Sequence, residues 1–520
     1  MKKTALLYIS LLILFGFSNC KKNTFFDLKR PPESPWTTVQ EFERAPIGVY
    51  SRIFAGDSWN VAYINYSLVN VSEGDDVDWV NASEYGYKRN DGSINRYADR
   101  LWMAAYQAIA GSNVALDFVN AQGGNPFPDA SAEDRTKNIN RIIGELHFMR
   151  GFSYYLLMTI YGQAYVPGTD NSTVDIPLIT SFATSLEQAR TPKRGTTKEL
   201  FDFMVEEFKK AKELLPERYS AGMHPSYQVG RANRFAAAAM LARTYFLMGD
   251  YIKAKNECDY IIDQNGGDFN LSEDPIEAFN KSSEARGKEV IFYAAYFDPQ
   301  GVTPNHLTAL NHIAGDWGEC TWVETRMANT VIKRLGWMDN PQNDTTIKLT
   351  ARRDKRFTQL MHVRYPATST PNPDHSYDAR LDIKNMTTIW NNKYFRGTGN
   401  SKFNTNLPII RLAEIYLTRA TCRFKTNDMQ GAAEDLNIVR KRAWNEVVGG
   451  PFVQITSASI TQQIIDDERL IEMFNEPDRI NYLRGLKVDI LPGDRPVPVE
   501  PYTSDKFIWV IPPRETLYTG

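Results

Sequence analysis

A mainly α fold is predicted by two helical-hairpin repeats, by the amphipathic segments that precede them, and by turn-forming residues gathered in the stretches between. In 234–262, Leu241, Ala242 and Tyr245 fall on one helix, Gly249-Asp250 turns the chain, and Ala254, Cys258 and Ile261 fall on a second. Residues 409–443 repeat the plan with Leu412, Ala413, Tyr416 and Ala420, a turn at 425–428, then Ala432, Leu436, Val439 and Ala443. Small and large residues alternate at tetratricopeptide-like spacing, which lets two antiparallel helices approach closely.

Taken in order, 40–53 predicts a short helix on Phe42, Ile47, Val49 and Tyr50, with Pro46 a threat to its continuity. From Trp59 to Tyr97 no period of 2 or 3.6 persists, and Trp and Tyr alternate with Asp and Asn, so this stretch is expected to be an ordered binding loop. Leu101, Trp102, Ala105, Tyr106, Ile109, Asn113 and Leu116 draw one helical stripe, which Gly123-Gly124-Asn125-Pro126 ends. Helices are predicted over 137–161 and 198–215, the second closed by Pro216, with an extended step at Ile176-Pro177-Leu178 between them. Residues 289–296 suit a short strand. Residues 297–408 form a loop-rich insert in which 323–335 is the main helical exception. Helix returns at 460–475, continues to Arg484, and gives way to Pro-rich extended chain.

The N-terminus fixes the compartment. Lys2 and Lys3 precede a thirteen-residue apolar run, Ala5 to Phe17, and Ser18-Asn19-Cys20 follows. That run is too short to span a bilayer and suits a cleaved signal peptide over 1–19. Cys20 would become an acylated N-terminus, leaving 20–520 as one domain on a short tether, Lys21 to Thr24. Loss of Lys2 and Lys3 takes the formal charge from −2 to −4, which argues against nucleic acid as a partner. Cys258, Cys320 and Cys422 are an odd set for an exported chain and read as core residues, with at most one disulfide.

Four blocks of residues resemble the SusD/RagB outer-membrane lipoproteins. They are Trp102, Tyr106, Ile109 and Asn113; 144–152 (Gly-Glu-Leu-His-Phe-Met-Arg-Gly-Phe) with Tyr161-Gly162 and Ile176-Pro177-Leu178; 410–417 with Leu436-Asn437 and Val439-Arg440; and Asp467-Glu468-Arg469, Glu472, Asn475-Glu476 and Arg479. The resemblance implies a non-catalytic, lipid-anchored binding protein, displayed at the cell surface, that captures oligosaccharide or glycan. It also implies a partner, a SusC-like TonB-dependent transporter. Capture of peptides or other nutrients stays open, as does a tetratricopeptide scaffold that assembles envelope proteins.

The chemistry of a sugar site supplies its own candidates, because pyranose C–H faces need aromatic platforms and hydroxyls need a polar rim. The first aromatic region offers Asp75, Asp76, Trp79, Asn81 and Tyr85, and the second offers Tyr296, Trp317 and Trp322. Each of these aromatics could equally anchor a loop to the scaffold. Motifs for metalloproteases, serine hydrolases, phosphate loops and redox dithiols are absent, so neither a catalytic residue nor a cofactor is expected. His306 and His312, with Asp316 nearby, read as loop residues rather than metal ligands. Glu468 and Glu472 lie one helical turn apart beside Arg469 and Arg479, and are expected to form structural ion pairs rather than a hydrolytic acid/base pair.

Overall fold

The computed structural model describes residues 36–56, 61–79, 96–185, 188–189, 192–279, 286–296, 325–365, 386–394, 406–513 and 515. A short helix, Val39–Phe42, leads into α1 (Arg44–Phe54), with Glu43 between them. Pro46 falls in the first turn of α1, where a missing N–H costs nothing, so the helix is displaced rather than broken. Next comes α2, Ala62–Glu73, and all twelve of its residues are buried. This corrects the reading of 59–97 as one long loop. A helix buried on every side has no exposed face to mark its period, and its Asn65, Ser67, Asn70 and Ser72 disguise it further.

The strand β1 (Val77–Trp79) follows, then α3 (Arg96–Ala121) and α4 (Asn140–Tyr161), which a π-helical turn at Arg135–Ile139 introduces. Between α4 and the next helix, β2 (Val174–Pro177) pairs antiparallel with β3 (Arg194–Thr196). A capping box between Thr196 and Glu199 starts α5 (Thr197–Leu214). Gly144 and Gly151 of α4 face α5, where an added Cβ would sit 3.0 Å from Leu214 and 3.0 Å from the Phe208 ring. The two helices pack at a distance that any larger residue would widen.

Then come the hairpins. α6 (Arg234–Met248) ends on Gly249 in the left-handed region, φ +78°, and Asp250 caps α7 (Tyr251–Gln264). After the insert, α8 (Leu412–Lys425) turns at left-handed Asn427, φ +64°, and Asp428 caps α9 (Met429–Ala443). The same device, a left-handed residue followed by an Asp N-cap, builds both turns. α4 through α9 pack each on the next, so α7 meets α8 although 265–411 intervenes. Arg419 of α8 ties that stack together, reaching Asp259 of α7 at 3.1 Å and Asp435 of α9 at 2.7 Å. Cys258 and Cys422 are buried free thiols on α7 and α8, and burial pushes both up; Cys320 lies outside the described residues.

The insert has a neck. β4 (Val290–Ala294) pairs antiparallel with β8 (Leu407–Arg411), which runs directly into α8. Within it, β5 (Thr325–Met327) pairs with β1, and β6 (Met361–Arg364) pairs with β7 (Thr388–Asn391). The helix expected over 323–335 is therefore a strand followed by one short helix, Asn329–Arg334. Pairing with β1 overrides local helical preference there. Beyond α9, α10 (Gln462–Met473) packs on α8, while α11 (Arg479–Leu486) packs on α6 and α2. A turn at 474–478 separates them.

Where β8 meets α8, a buried charge cluster closes the neck. Arg411 donates to Glu289 at 2.7 Å, Glu472 at 2.9 Å and Glu476 at 2.6 Å. Lys393 reaches Glu476 at 2.7 Å, Arg442 reaches Glu472 at 2.7 Å, and Arg356 reaches Glu468 at 2.7 Å. The ion-pair role expected of Glu468 and Glu472 is present, but with partners from distant segments. Arg469 and Arg479 instead pair with Asp478 and Asp75.

Burial opposes ionisation of Glu472 and Glu476, yet the surrounding Arg and Lys hold both carboxyls below the usual carboxylate range. Their contribution is therefore complete above pH 4.5 and is lost as pH falls through the lower folded values. Removing one partner strands the others in the interior. Arg411→Met is expected to cost about 3–5 kcal/mol in urea unfolding at pH 7. Lys198→Met, at an exposed pair with Asp202, should leave the midpoint unchanged. An unshifted midpoint for Arg411→Met would show that the cluster holds nothing.

Candidate ligand-binding site

Antiparallel pairing of β1 with β5 sets Val77 opposite Met327, Asp78 opposite Arg326 and Trp79 opposite Thr325. Trp79, the last described residue before 80–95, thus lies opposite Thr325, the first described residue after 297–324. Segment 80–95 therefore begins, and segment 297–324 ends, at neighbouring strand ends. Asn81, Tyr85, Trp317 and Trp322 fall in those segments and lie outside the described residues, as do His306, His312 and Asp316. Trp79 is placed by its backbone in β1.

The ribbon is held by charge. Asp78 and Arg326, cross-strand neighbours, form an ion pair that is almost completely buried, and Arg326 also reaches Asp494 at 3.4 Å. Asp494 in turn accepts from the backbone N–H groups of Asn329 at 2.6 Å and Thr330 at 3.0 Å, starting the helix after β5. Arg495 donates to the carbonyls of Gly74 at 2.5 Å and Ser72 at 2.7 Å, which fixes the turn between α2 and β1.

That turn contains Asp75 and Asp76, both expected to face a ligand. Each is 4% exposed, so in this arrangement both face the interior. Arg479 grips Asp75 at 2.6 and 3.1 Å, and although burial opposes it, the guanidinium keeps this carboxyl below its ordinary value. Asp76 receives less. Its backbone carbonyl accepts from Ala328 at 2.9 Å, but among the described residues its Oδ1 has no hydrogen-bond donor. Burial outweighs the pull of Arg479 and pushes its carboxyl up to about 6.

Tyr296 is also turned inward. Its hydroxyl donates to the Phe54 carbonyl at 2.6 Å, and its N–H donates to Asn406 Oδ1 at 3.0 Å. The ring pins the start of 297–324 to α1. Its hydrogen-bonding tip is used up.

One cavity was not legible from sequence. It encloses about 160 Å³ between the insert and the scaffold, with Trp337, Arg353, Arg356, Arg440, Trp444 and Glu468 among its walls. Its residues come from separate segments, and although Arg440 and Glu468 stand in the motif blocks, no spacing brings them to Trp337 and Trp444. Among the described residues, no group of three His, Cys, Asp or Glu side chains could hold a metal, and no helix is long and apolar enough to cross a membrane.

Residues 50–246 match a family model described as starch-binding, associating with outer membrane, and residues 264–484 match the SusD family model. Two relatives come from Formosa agariphila. SusD-like protein P2 is 24% identical over 61% of this chain and 58% of its own length, and SusD-like protein P25 is 23% identical over 75% and 71%. The aligned stretch thus spans less than two thirds of P2. Among solved structures, a SusD superfamily protein from Bacteroides thetaiotaomicron superposes with a TM-score of 0.70 at 20% identity, covering 92% of this chain and 97% of that one. A protein described as sugar binding, from Bacteroides vulgatus, gives 0.69 at 19% identity, over 94% and 98%.

The stranded carboxyl of Asp76 has a testable consequence. Because its folded value lies above the ordinary 3.8, the ionised form costs stability above about pH 6, and the cost vanishes once pH falls below 3.8. Asp76→Asn should therefore raise stability by roughly 1–3 kcal/mol at pH 7.5 and by little at pH 3.5. Denaturant melts at the two pH values read this directly; equal shifts at both would rule out the titration.

Proposed function

The chain belongs to the SusD/RagB family, and from that premise we propose that it is a lipid-anchored, non-catalytic protein that captures oligosaccharide or glycan for import through a SusC-like TonB-dependent transporter. The observation that carries the ligand site is the β1–β5 ribbon. It sets Trp79, from which 80–95 begins, opposite Thr325, at which 297–324 ends, and buried ion pairs support both strands; the two segments are rich in Trp, Tyr, Asp and Asn. Aromatic faces supply platforms for sugar rings, and polar side chains supply the rim. Within the proposed site, Trp79, Asn81, Tyr85, Trp317 and Trp322 contact ligand. Asp75, Asp76 and Tyr296 shape the base from which the segments spring, since their polar atoms are turned inward.

The sugar-binding description of a structural neighbour supports a glycan over a peptide. A tetratricopeptide scaffold for envelope assembly would have no use for so large an aromatic insert. In the proposed arrangement, acylated Cys20 holds the body at the outer membrane, facing outward. The short tether keeps it at high effective concentration beside the transporter, so capture of modest affinity can still feed uptake.

Glycan-array binding followed by calorimetry of the purified mature chain, with Trp79→Ala and Trp317→Ala beside wild type, tests the site. Each substitution should weaken binding about tenfold or more. Unchanged affinity in both would remove the site, and hydrolysis of any glycan in the panel would remove the non-catalytic assignment. Cys20→Ser should abolish incorporation of labelled fatty acid and release the protein from membranes. Retained label would overturn the anchor.

A further inference from the structure

None of the residues that line the cavity at the junction of insert and scaffold belongs to the β1–β5 ribbon or to the residues assigned above to glycan. Its back wall is Trp337, 2% exposed and set edge-on to Phe357 at 5.0 Å. Its side wall is Trp444, whose indole N–H is already spent on the Gly450 carbonyl at 2.8 Å and whose ring meets Phe452 edge-on at 5.5 Å. The backbone around that wall is fixed. Asp354 bridges to Trp444, the Asn445 N–H donates to the Arg353 carbonyl at 2.8 Å, and Gly449 packs so tightly that a Cβ would lie 2.8 Å from Arg353.

Five charged side chains line the cavity, and they do not balance. Arg356 pairs with Asp354 at 2.6 Å, with Glu468 at 2.7 Å and, behind the wall, with Glu472 at 3.4 Å. Arg440 approaches the other oxygen of Glu468 at 3.4 Å and donates to Asn437 at 3.3 Å and to the Val453 carbonyl at 3.1 Å. Arg353 is different. Among the described residues no carboxylate pairs with its guanidinium, which instead stacks on Trp444 at 4.8 Å. Against Asp354 and Glu468 stand Arg353, Arg356 and Arg440, so the walls carry one positive charge in excess, located at Arg353.

A half-buried guanidinium held over an indole and paired with no carboxylate keeps N–H donors for carboxylate or sulfate oxygens. The volume sets the size of what it meets. The space, about 160 Å³ and partly open to solvent, suits one ring rather than a chain of them. We propose that the cavity is a second binding site, which takes a single-ring ligand bearing one negative charge, a sugar acid or a sugar sulfate. The anionic group lies on Arg353, the ring lies against Trp444 and Trp337, and Arg440 and Glu468 meet its hydroxyls. No residue of the proposed glycan site takes part, so either site can fail without the other.

Calorimetric titration of the purified chain with glucuronate, glucose 6-sulfate and glucose tests this. At least one of the two anions should bind and glucose should not, and the anion that binds identifies carboxylate or sulfate as the group recognised. Affinity should fall as salt is raised. Arg353→Gln should weaken binding about tenfold or more, the loss expected for one charge-assisted hydrogen-bonding fork. Trp79→Ala and Trp317→Ala should leave it unchanged. Absence of heat with both anions, equal affinity for glucose, or an unaltered Arg353→Gln variant would each overturn the proposal, as would loss of anion binding in Trp79→Ala. Should Arg353→Gln fail to fold by circular dichroism, the charged-against-neutral comparison and the salt dependence on wild type decide alone.

Discussion

Arg411 is the constraint on which the arrangement depends. It is the last residue of β8 and stands immediately before α8, so it sits where the insert returns to the helical stack. It is 1% exposed, and a guanidinium with so little access to water persists only if carboxylates surround it. Those carboxylates come from Glu289 at the base of β4 and from Glu472 and Glu476 at the end of α10 and beyond. Satisfying one charge therefore brings together both strands of the neck and the C-terminal helices. Lys393 and Arg442 complete the neutralisation and draw in the chain after β7 and the end of α9.

The same logic recurs at smaller scale along the stack. Arg150 of α4 pairs with Glu207 of α5 and also donates to Asn113 of α3 at 2.7 Å, while Asn113 donates to the Ile179 carbonyl at 3.0 Å. Tyr106 donates to the Pro177 carbonyl at 2.9 Å, so the extended step after β2 is stitched to α3 by side chains. Arg141 and Arg231 bind Glu43 and Glu145 between α1, α4 and the start of α6. Nearly every residue in the four motif blocks that mark the family is thus spent on the framework. That is why the family was legible while the ligand was not: these motifs encode how buried polar groups are paired, and the framework is common to proteins that bind different things.

Legibility followed the same physical divide. The hairpins over 234–262 and 409–443 could be read because local rules agree there: apolar spacing, a left-handed turn residue and an Asp cap all name the same boundary. α2 could not be read, because a helix surrounded by protein loses the polar face that marks a period. Local sequence suggests helix at β5, but its structure is imposed by β1, which lies far away in sequence. Glu468 and Glu472 were correctly assigned to ion pairs, but a helix-face argument sees only neighbours at three and four residues, and their partners Arg356, Arg411 and Arg442 come from elsewhere. Asp75, Asp76 and Tyr296 looked like ligand residues because composition reports residue type and not direction; the packing turns all three inward.

That inward turn explains how the ribbon can serve as a platform. In a two-stranded ribbon, a slip of one residue would send every side chain to the opposite face. Here the slip is forbidden by the Asp78–Arg326 pair, since moving either partner would leave a charge buried alone. Arg479 on Asp75 and Arg495 on the carbonyls of Ser72 and Gly74 lock the approach to the ribbon from α2. The point where 80–95 begins and the point where 297–324 ends are therefore held by interior charge. A scaffold built in this way separates the cost of folding from the choice of ligand.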